Sequence, residues 1–261
     1  MGVIDTSHGA IGVLEQGGGD AVPIIFLHGV GSDKSAWRPQ VAHFGGSRRA
    51  IAFDFPGYGE SAPMAASGDF ASAILAALDA LGIARAHVCG LSLGGVVAIT
   101  LHARSPERCA SLILADTFAE HPEGAAIYER STDASQTMSM RALAEARVDM
   151  LLGGDATAGL RAEVVETMAA IDPAAYRIGA HTVWLADQRD EARQIRVPTL
   201  VLYGTEDRIT PPALSEELSA LIPGAQLESV EAAGHLSNAE QPAAFNAAVE
   251  RFLAGVERIS L

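Results

Sequence analysis

The residues with the clearest capacity for chemistry lie in Val88-Cys89-Gly90-Leu91-Ser92-Leu93-Gly94-Gly95, where an apolar run meets a Gly-x-Ser-x-Gly string that opens into a helical pattern. A serine on so sharp a strand-to-helix turn takes a strained backbone conformation, and small residues two positions to either side let neighbouring chain pass close by. The turn would stand the Ser92 hydroxyl at the mouth of a crevice, as a nucleophile. The helix after it would set unpaired N–H groups and partial positive charge where the oxyanion of an attacked carbonyl develops. Leu93 N–H is the expected first oxyanion-hole donor. An earlier strand end, Ile25-Phe26-Leu27-His28-Gly29-Val30-Gly31-Ser32, runs into a glycine-rich turn, and Val30 N–H is the expected second donor.

Serine at its own pKa is a weak nucleophile and needs a base, usually histidine, which needs a carboxylate to fix its tautomer. Among eight histidines, His235 stands apart in Ala232-Ala233-Gly234-His235-Leu236, a loop after the last apparent strand and before the final helix. His43, His87, His102, His121 and His181 sit in helical, strand or insertion patterns, and His28 reads as a hydrogen-bonded prop for its loop. For the acid, Val201-Leu202-Tyr203-Gly204-Thr205-Glu206-Asp207 puts Asp207 in a turn at a strand end. Asp116, closing Leu112-Ile113-Leu114-Ala115-Asp116, is the rival acid and Glu206 a minor one, since each is a strand-end carboxylate. Asp207 is preferred, with Asp116 read as a cap where the chain leaves the sheet.

These residues need a frame. Apolar runs at Ile24 to Leu27, Ala50 to Phe53, His87 to Cys89, Leu112 to Ala115, Thr199 to Tyr203 and Leu227 to Val230 read as buried strands. Helical spacing lies between most of them, at Phe70 to Leu81, Leu93 to Arg104, Pro212 to Leu221 and Pro242 to Phe252. The alternation predicts an α/β fold with a mostly parallel sheet covered on both faces, and Val3 to Thr6 with Ala10 to Glu15 an edge hairpin. From about Phe118 to Arg196 the alternation stops, and helical patterns such as Met140 to Leu152 and Ala162 to Ala170 predict a cap over the carboxyl ends of the strands. The expected division is a core of 1–117 and 197–261 with a helical cap, or lid, at 118–196. The turn Asp54-Phe55-Pro56-Gly57-Tyr58-Gly59-Glu60-Ser61 sets backbone direction and is assigned no chemistry.

Composition narrows the partners. A net charge of −14 and no clustered Lys and Arg argue against nucleic acid. No stretch approaches the roughly 20 apolar residues of a membrane span, and Met1 to Thr6 lacks a leader's basic and apolar pattern, so a cytoplasmic protein is expected. The two cysteines, Cys89 and Cys109, read as small buried hydrophobes. The sequence carries no reading of oligomeric state.

Along nearly its whole length the chain resembles the α/β-hydrolase superfamily, through His28-Gly29, Asp54-x-Pro56-Gly57-x-Gly59-x-Ser61, Gly90-x-Ser92-x-Gly94-Gly95, Gly204-x-x-Asp207 and Gly234-His235. The order Ser92, Asp207, His235 is that superfamily's nucleophile, acid, base order. The resemblance implies a Ser-Asp-His triad with no metal and no organic cofactor. Gly90 to Gly95, then Ser105-Pro106-Glu107-Arg108 and Leu112 to Thr117, look most like the 3-oxoadipate enol-lactonase branch. That implies a serine hydrolase acting on an ester or enol-lactone of a small organic acid. A serine nucleophile sets aside the dehalogenases and epoxide hydrolases of this fold, which form an ester on a carboxylate. Carbon–carbon bond hydrolases, cofactor-free perhydrolases and a non-catalytic small-molecule receptor share the residue set and remain open. A carboxylated substrate would need a cation, for which Arg130, Arg141 and Arg147 in the insertion are candidates.

Overall fold

The computed structural model describes residues 2–64 and 69–259, so Met1, where the reading of the chain start begins, lies outside the described residues. The apolar runs become strands, and those at the centre of the sheet are buried on both faces. They are β1 (Gly2–Thr6), β2 (Gly9–Gln16), β3 (Ile24–Leu27), β4 (Ala50–Phe53), β5 (Ala86–Leu91), β6 (Cys109–Ala115), β7 (Thr199–Gly204) and β8 (Gln226–Val230). They form one sheet in the order β1-β2-β4-β3-β5-β6-β7-β8. The pairs from β4 through β8 are parallel, while β1 and β2 form the expected antiparallel edge. β6 begins three residues earlier than the apolar run, at Cys109, because Cys109 and Ser111 pair with Ala86 and His87 of the neighbouring strand.

Alternation along the strands divides the interior into two cores. Ile25, Leu27, Val88, Leu112 and Leu114 face one side with α2 (Phe70–Ala80) and α3 (Leu93–Arg104). Ile24, Phe26, Cys89, Ile113, Leu200 and Leu202 face the other with Trp37 and Phe44, the last from α1 (Arg38–Phe44). Cys89 and Cys109 are buried free thiols. Burial pushes the Cys109 thiol up to about 12, with Glu107 adding to it, which disfavours the thiolate.

Between β6 and β7 the chain forms α4 (Gly124–Thr137), α5 (Met140–Leu151), α6 (Ala158–Ala169), α7 (Pro173–Trp184) and α8 (Arg189–Gln194). Ser139, Thr157 and Asp172 cap the starts of α5, α6 and α7 by accepting from backbone N–H groups. α5 packs on α6 and α4 on α7, while α7 and α8 rest on α3. A short bridge pairs Glu120 with Asp187, and Arg189 reaches Glu120 at 2.7 Å, closing the insertion at its base. After it come α9 (Pro212–Leu221), α10 (Ser237–Glu240) and α11 (Pro242–Ile259). Among the described residues no helix is long and apolar enough to cross a membrane.

The Asp54 to Ser61 turn has a structural role. Buried Asp54 accepts from Lys34 N at 2.8 Å, Lys34 Nζ at 2.6 Å and Glu60 N at 2.9 Å. Burial opposes the Lys34 charge, but Asp54 and Glu60 together hold its pKa above the ordinary value. Ser61 Oγ donates to Asp54 O and accepts from Gly12 N, stitching the turn to β2.

Candidate active site

β3, β5, β6, β7 and β8 run parallel, so the loops after Leu27, Leu91, Ala115, Gly204 and Val230 emerge on one edge, and Val30, Ser92, Asp207 and His235 lie in them. Ser92 is the turn between β5 and α3, at φ 54° and ψ −115°, a region a side chain adopts only under constraint. The constraint is tight. Ser92 N donates to Ala115 O at 3.0 Å, and Ser92 O accepts from Gly95 N and from Thr117 Oγ1, each at 2.9 Å. A Cβ at position 90 would collide with the Gly94 carbonyl, and one at position 94 with the Leu27 carbonyl, which explains both glycines.

Leu93 follows at the first turn of α3, and Val30 lies in the loop after β3. Neither N–H donates to another group among the described residues. His28 is fully used otherwise: its Nδ1 pairs with Gly29 O at 2.8 Å and its Nε2 accepts from Phe55 N at 3.1 Å. Burial holds its pKa below the ordinary value, so it is a neutral prop of the loop that carries Val30.

The loop after β8 brings His235 Nδ1 to 2.8 Å from Asp207 Oδ2. Asp207 Oδ1 accepts from Ile209 N at 2.7 Å and Thr210 N at 2.9 Å, and its Oδ2 from Thr210 Oγ1 at 2.6 Å. Burial works against the Asp207 charge, but His235 and these donors outweigh it and hold the carboxyl below its usual range. Burial likewise opposes a charged His235, yet Asp207 beside it raises the imidazole above its ordinary value. Thr210, three positions beyond Asp207, escaped the sequence reading. Its signal is the Asp-x-x-Thr spacing, in which a carboxylate caps the backbone of its own turn.

The rival acids go elsewhere. Glu206 Oε2 accepts from Gly154 N at 2.8 Å and so holds the insertion, away from the imidazole. Asp116 does not cap the start of the insertion as read from its position. It is wholly buried and reaches across to accept from Gly204 N at 2.8 Å and Ser237 Oγ at 2.5 Å, because its backbone turns back at φ 46°. Burial, then the neighbouring Asp207 charge, push its carboxyl pKa up.

Ser92 and His235 line one cavity of about 260 Å³, floored by Val30 and Leu91 and roofed by Leu151, Leu160 and Trp184 of the insertion. Of Arg130, Arg141 and Arg147, only Arg147 lines it. Arg141 is exposed and doubly bonded to Glu166, at 2.8 and 2.6 Å, and Arg130 lies on a neighbouring cavity.

The profile of the alpha/beta hydrolase family matches residues 24–248. The chain belongs to this family. The sheet order and flanking helices above are thus those of an alpha/beta hydrolase, as expected from its motifs. This alpha/beta hydrolase is 30% identical over 256 residues to 3-oxoadipate enol-lactonase 2 of Acinetobacter baylyi, with 92% of each chain covered. It is 31% identical to 2-hydroxymuconate semialdehyde hydrolase of Pseudomonas putida, over 92% of this chain and 90% of that one. The solved enol-lactonase of Burkholderia xenovorans LB400 superposes with a TM-score of 0.88 at 30% identity, covering 97% of this chain and 100% of that one.

Proposed function

We propose that this alpha/beta hydrolase is a serine hydrolase that cleaves a carboxylic ester or enol-lactone of a small organic acid. The observation that carries the reading is the 2.8 Å contact of His235 Nδ1 with Asp207 in a loop whose imidazole shares a cavity wall with Ser92. Asp207 fixes the Nδ1–H tautomer, leaving Nε2 free to take the Ser92 proton as Oγ attacks the carbonyl. The N–H groups of Val30 and Leu93 hold the oxyanion. The imidazolium then protonates the leaving alkoxide or enolate, and water attacks the acyl-serine by the same steps in reverse. The helices of 118–196 act as a cap that roofs the reacting carbonyl and keeps bulk water out.

Likeness to the two enol-lactonases supports the ester or lactone substrate class. Likeness to 2-hydroxymuconate semialdehyde hydrolase supports a second reading, hydrolysis of a carbon–carbon bond next to a carbonyl. The deciding experiment measures p-nitrophenyl esters, neutral lactones, a carboxylated enol-lactone and a vinylogous 1,5-diketone on wild type and Ser92→Ala. Ester or lactone turnover that disappears in Ser92→Ala supports the proposal. Turnover of the diketone alone supports the second reading, and turnover of none supports a receptor.

A further inference from the structure

Against the catalytic cavity lies a second one of about 730 Å³, opening to solvent. Arg147, Trp184 and Ile209 line both, so the two chambers share a partition. Arg130, Arg147 and Arg208 all line the outer chamber, contributed by α4, α5 and the loop after β7. In a chain of net charge −14, most arginines stand beside a carboxylate, as Arg48 does with Glu257, Arg104 with Asp69 and Arg141 with Glu166. Arg130, Arg147 and Arg208 are in no ion pair among the described residues. Arg208 donates to the carbonyls of Asp149 and Leu152, at 2.7 and 2.9 Å, and Arg147 reaches only Ser131 Oγ, at 3.4 Å.

The wall offers the arginines little compensation. Glu123 is its one carboxylate among the described residues, and His121 is held below its ordinary pKa by burial. Ile127, Ala134, Leu143, Met150, Pro211 and Leu214 supply apolar surface between the charges. Unpaired guanidinium groups around an apolar hollow, one of them on the partition, suit a ligand with an apolar middle and an anionic end.

We infer that the outer chamber is an anion subsite. It takes the remote carboxylate or phosphate of a substrate whose ester lies at Ser92 and whose chain passes the Arg147, Trp184 and Ile209 partition. This rests on the serine-hydrolase reading and names its substrate class: esters with an anion at the far end, longer than a compact lactone. The bond cleaved is unchanged, with water adding across the acyl–oxygen bond to give an acid and an alcohol. The anion only orients the substrate and adds binding.

The test compares methyl hemi-esters of six- to ten-carbon dicarboxylic acids with neutral methyl esters of equal length, and with esters that end in phosphate. The readout is the ratio of anionic to neutral kcat/KM. Wild type is expected to favour one anionic series by about tenfold, and Arg130→Gln with Arg208→Gln to erase that preference through KM. Exposed Arg251→Gln, which pairs with Glu228, should keep it. Because Arg208 also ties the 149–152 segment, Arg130→Gln alone serves as the milder variant. Preference for carboxylate over phosphate, or the reverse, identifies the natural end group. Neutral esters turned over as well as anionic ones at every length, or a preference indifferent to both arginine variants, would overturn the inference. Calorimetric binding of suberate to Ser92→Ala, weakened by Arg130→Gln, reads the subsite without any turnover. Loss of the hydrolase reading is therefore distinct from loss of this one.

Discussion

The backbone N–H of His235 donates to the carbonyl of Leu151 over 2.9 Å, so the loop that holds the imidazole is anchored in the inserted helices as well as on the sheet. Glu240 extends the anchor. Its Oε1 accepts from Gly234 N at 2.9 Å and Leu236 N at 3.3 Å, on either side of the histidine, and its Oε2 from Gly153 N at 2.7 Å. The insertion and the His235 loop thus share one carboxylate. A disturbance of the helices is therefore passed to the imidazole through backbone hydrogen bonds.

Glu240→Ala removes the acceptor from three backbone N–H groups at once. Part-buried donors left without partners cost about 1–3 kcal/mol. The expected result is a melting temperature lower by several degrees together with a reduced kcat, because the imidazole loses its fixed approach to Ser92. Thermal melts and steady-state rates on one ester check it. Unchanged stability with unchanged kcat would show the anchor to be idle.

The two buried acids near His235 should part company on mutation. Asp207 meets the imidazole directly, and Asn there permits the wrong tautomer, so Asp207→Asn is expected to lower kcat by about a thousand- to ten-thousandfold. Asp116 instead holds Gly204 N and Ser237 Oγ. Its raised pKa favours a protonated carboxyl, which an amide imitates, so Asp116→Asn should cost less than tenfold in kcat and act mainly on melting temperature. An equal loss from both would overturn the preference for Asp207 over Asp116.

Titration carries a third expectation. In the proposed mechanism only neutral His235 can take the Ser92 proton, and Asp207 raises its pKa above 6.5. The acid limb of kcat/KM is therefore expected above pH 6.5, and Asp207→Asn should move it down. Stability runs the other way. The raised His235 pKa contributes stability that is full below the unfolded value of 6.5 and is lost as pH rises through the folded value. The depressed Asp207 pKa contributes stability present above 3.8 and lost as pH falls through its folded value. Melting temperature should thus fall slightly across the same pH range in which activity appears. An acid limb below 6.5 would contradict the assignment.

The fold and the sharp turn at Ser92 were legible because their residue types answer to local geometry. Gly90 and Gly94 mark close chain crossings that no larger residue allows, and the strands are short runs with little other way to bury their side chains. Contacts across long separations were not legible. Asp116 looks like any strand-end carboxylate until its partners, 88 and 121 positions away, are known. Arg130, Arg141 and Arg147 are alike in sequence, and only packing sets Arg141 against Glu166 and leaves Arg147 between two cavities. Arg208 went unnoticed because it belongs to the core and meets the insertion only when the chain has folded back.

Ser92 lies at positive φ although it is not glycine, and the cost of that strain, about 1–3 kcal/mol, is borne by the neighbouring hydrogen bonds. Ser92→Ala keeps the Cβ and so keeps the strain, whereas Ser92→Gly releases it. Glycine's extra freedom in the unfolded chain takes back about 0.5–1 kcal/mol. Both variants should lose hydrolysis, and Ser92→Gly should melt above Ser92→Ala by the equivalent of about 1 kcal/mol. The bonds from Ser92 N and to Ser92 O are backbone groups and survive in both, so the comparison isolates the Cβ. A glycine variant no more stable than the alanine one would mean that the turn relaxes at no cost, and that the serine is held in place by its contacts alone.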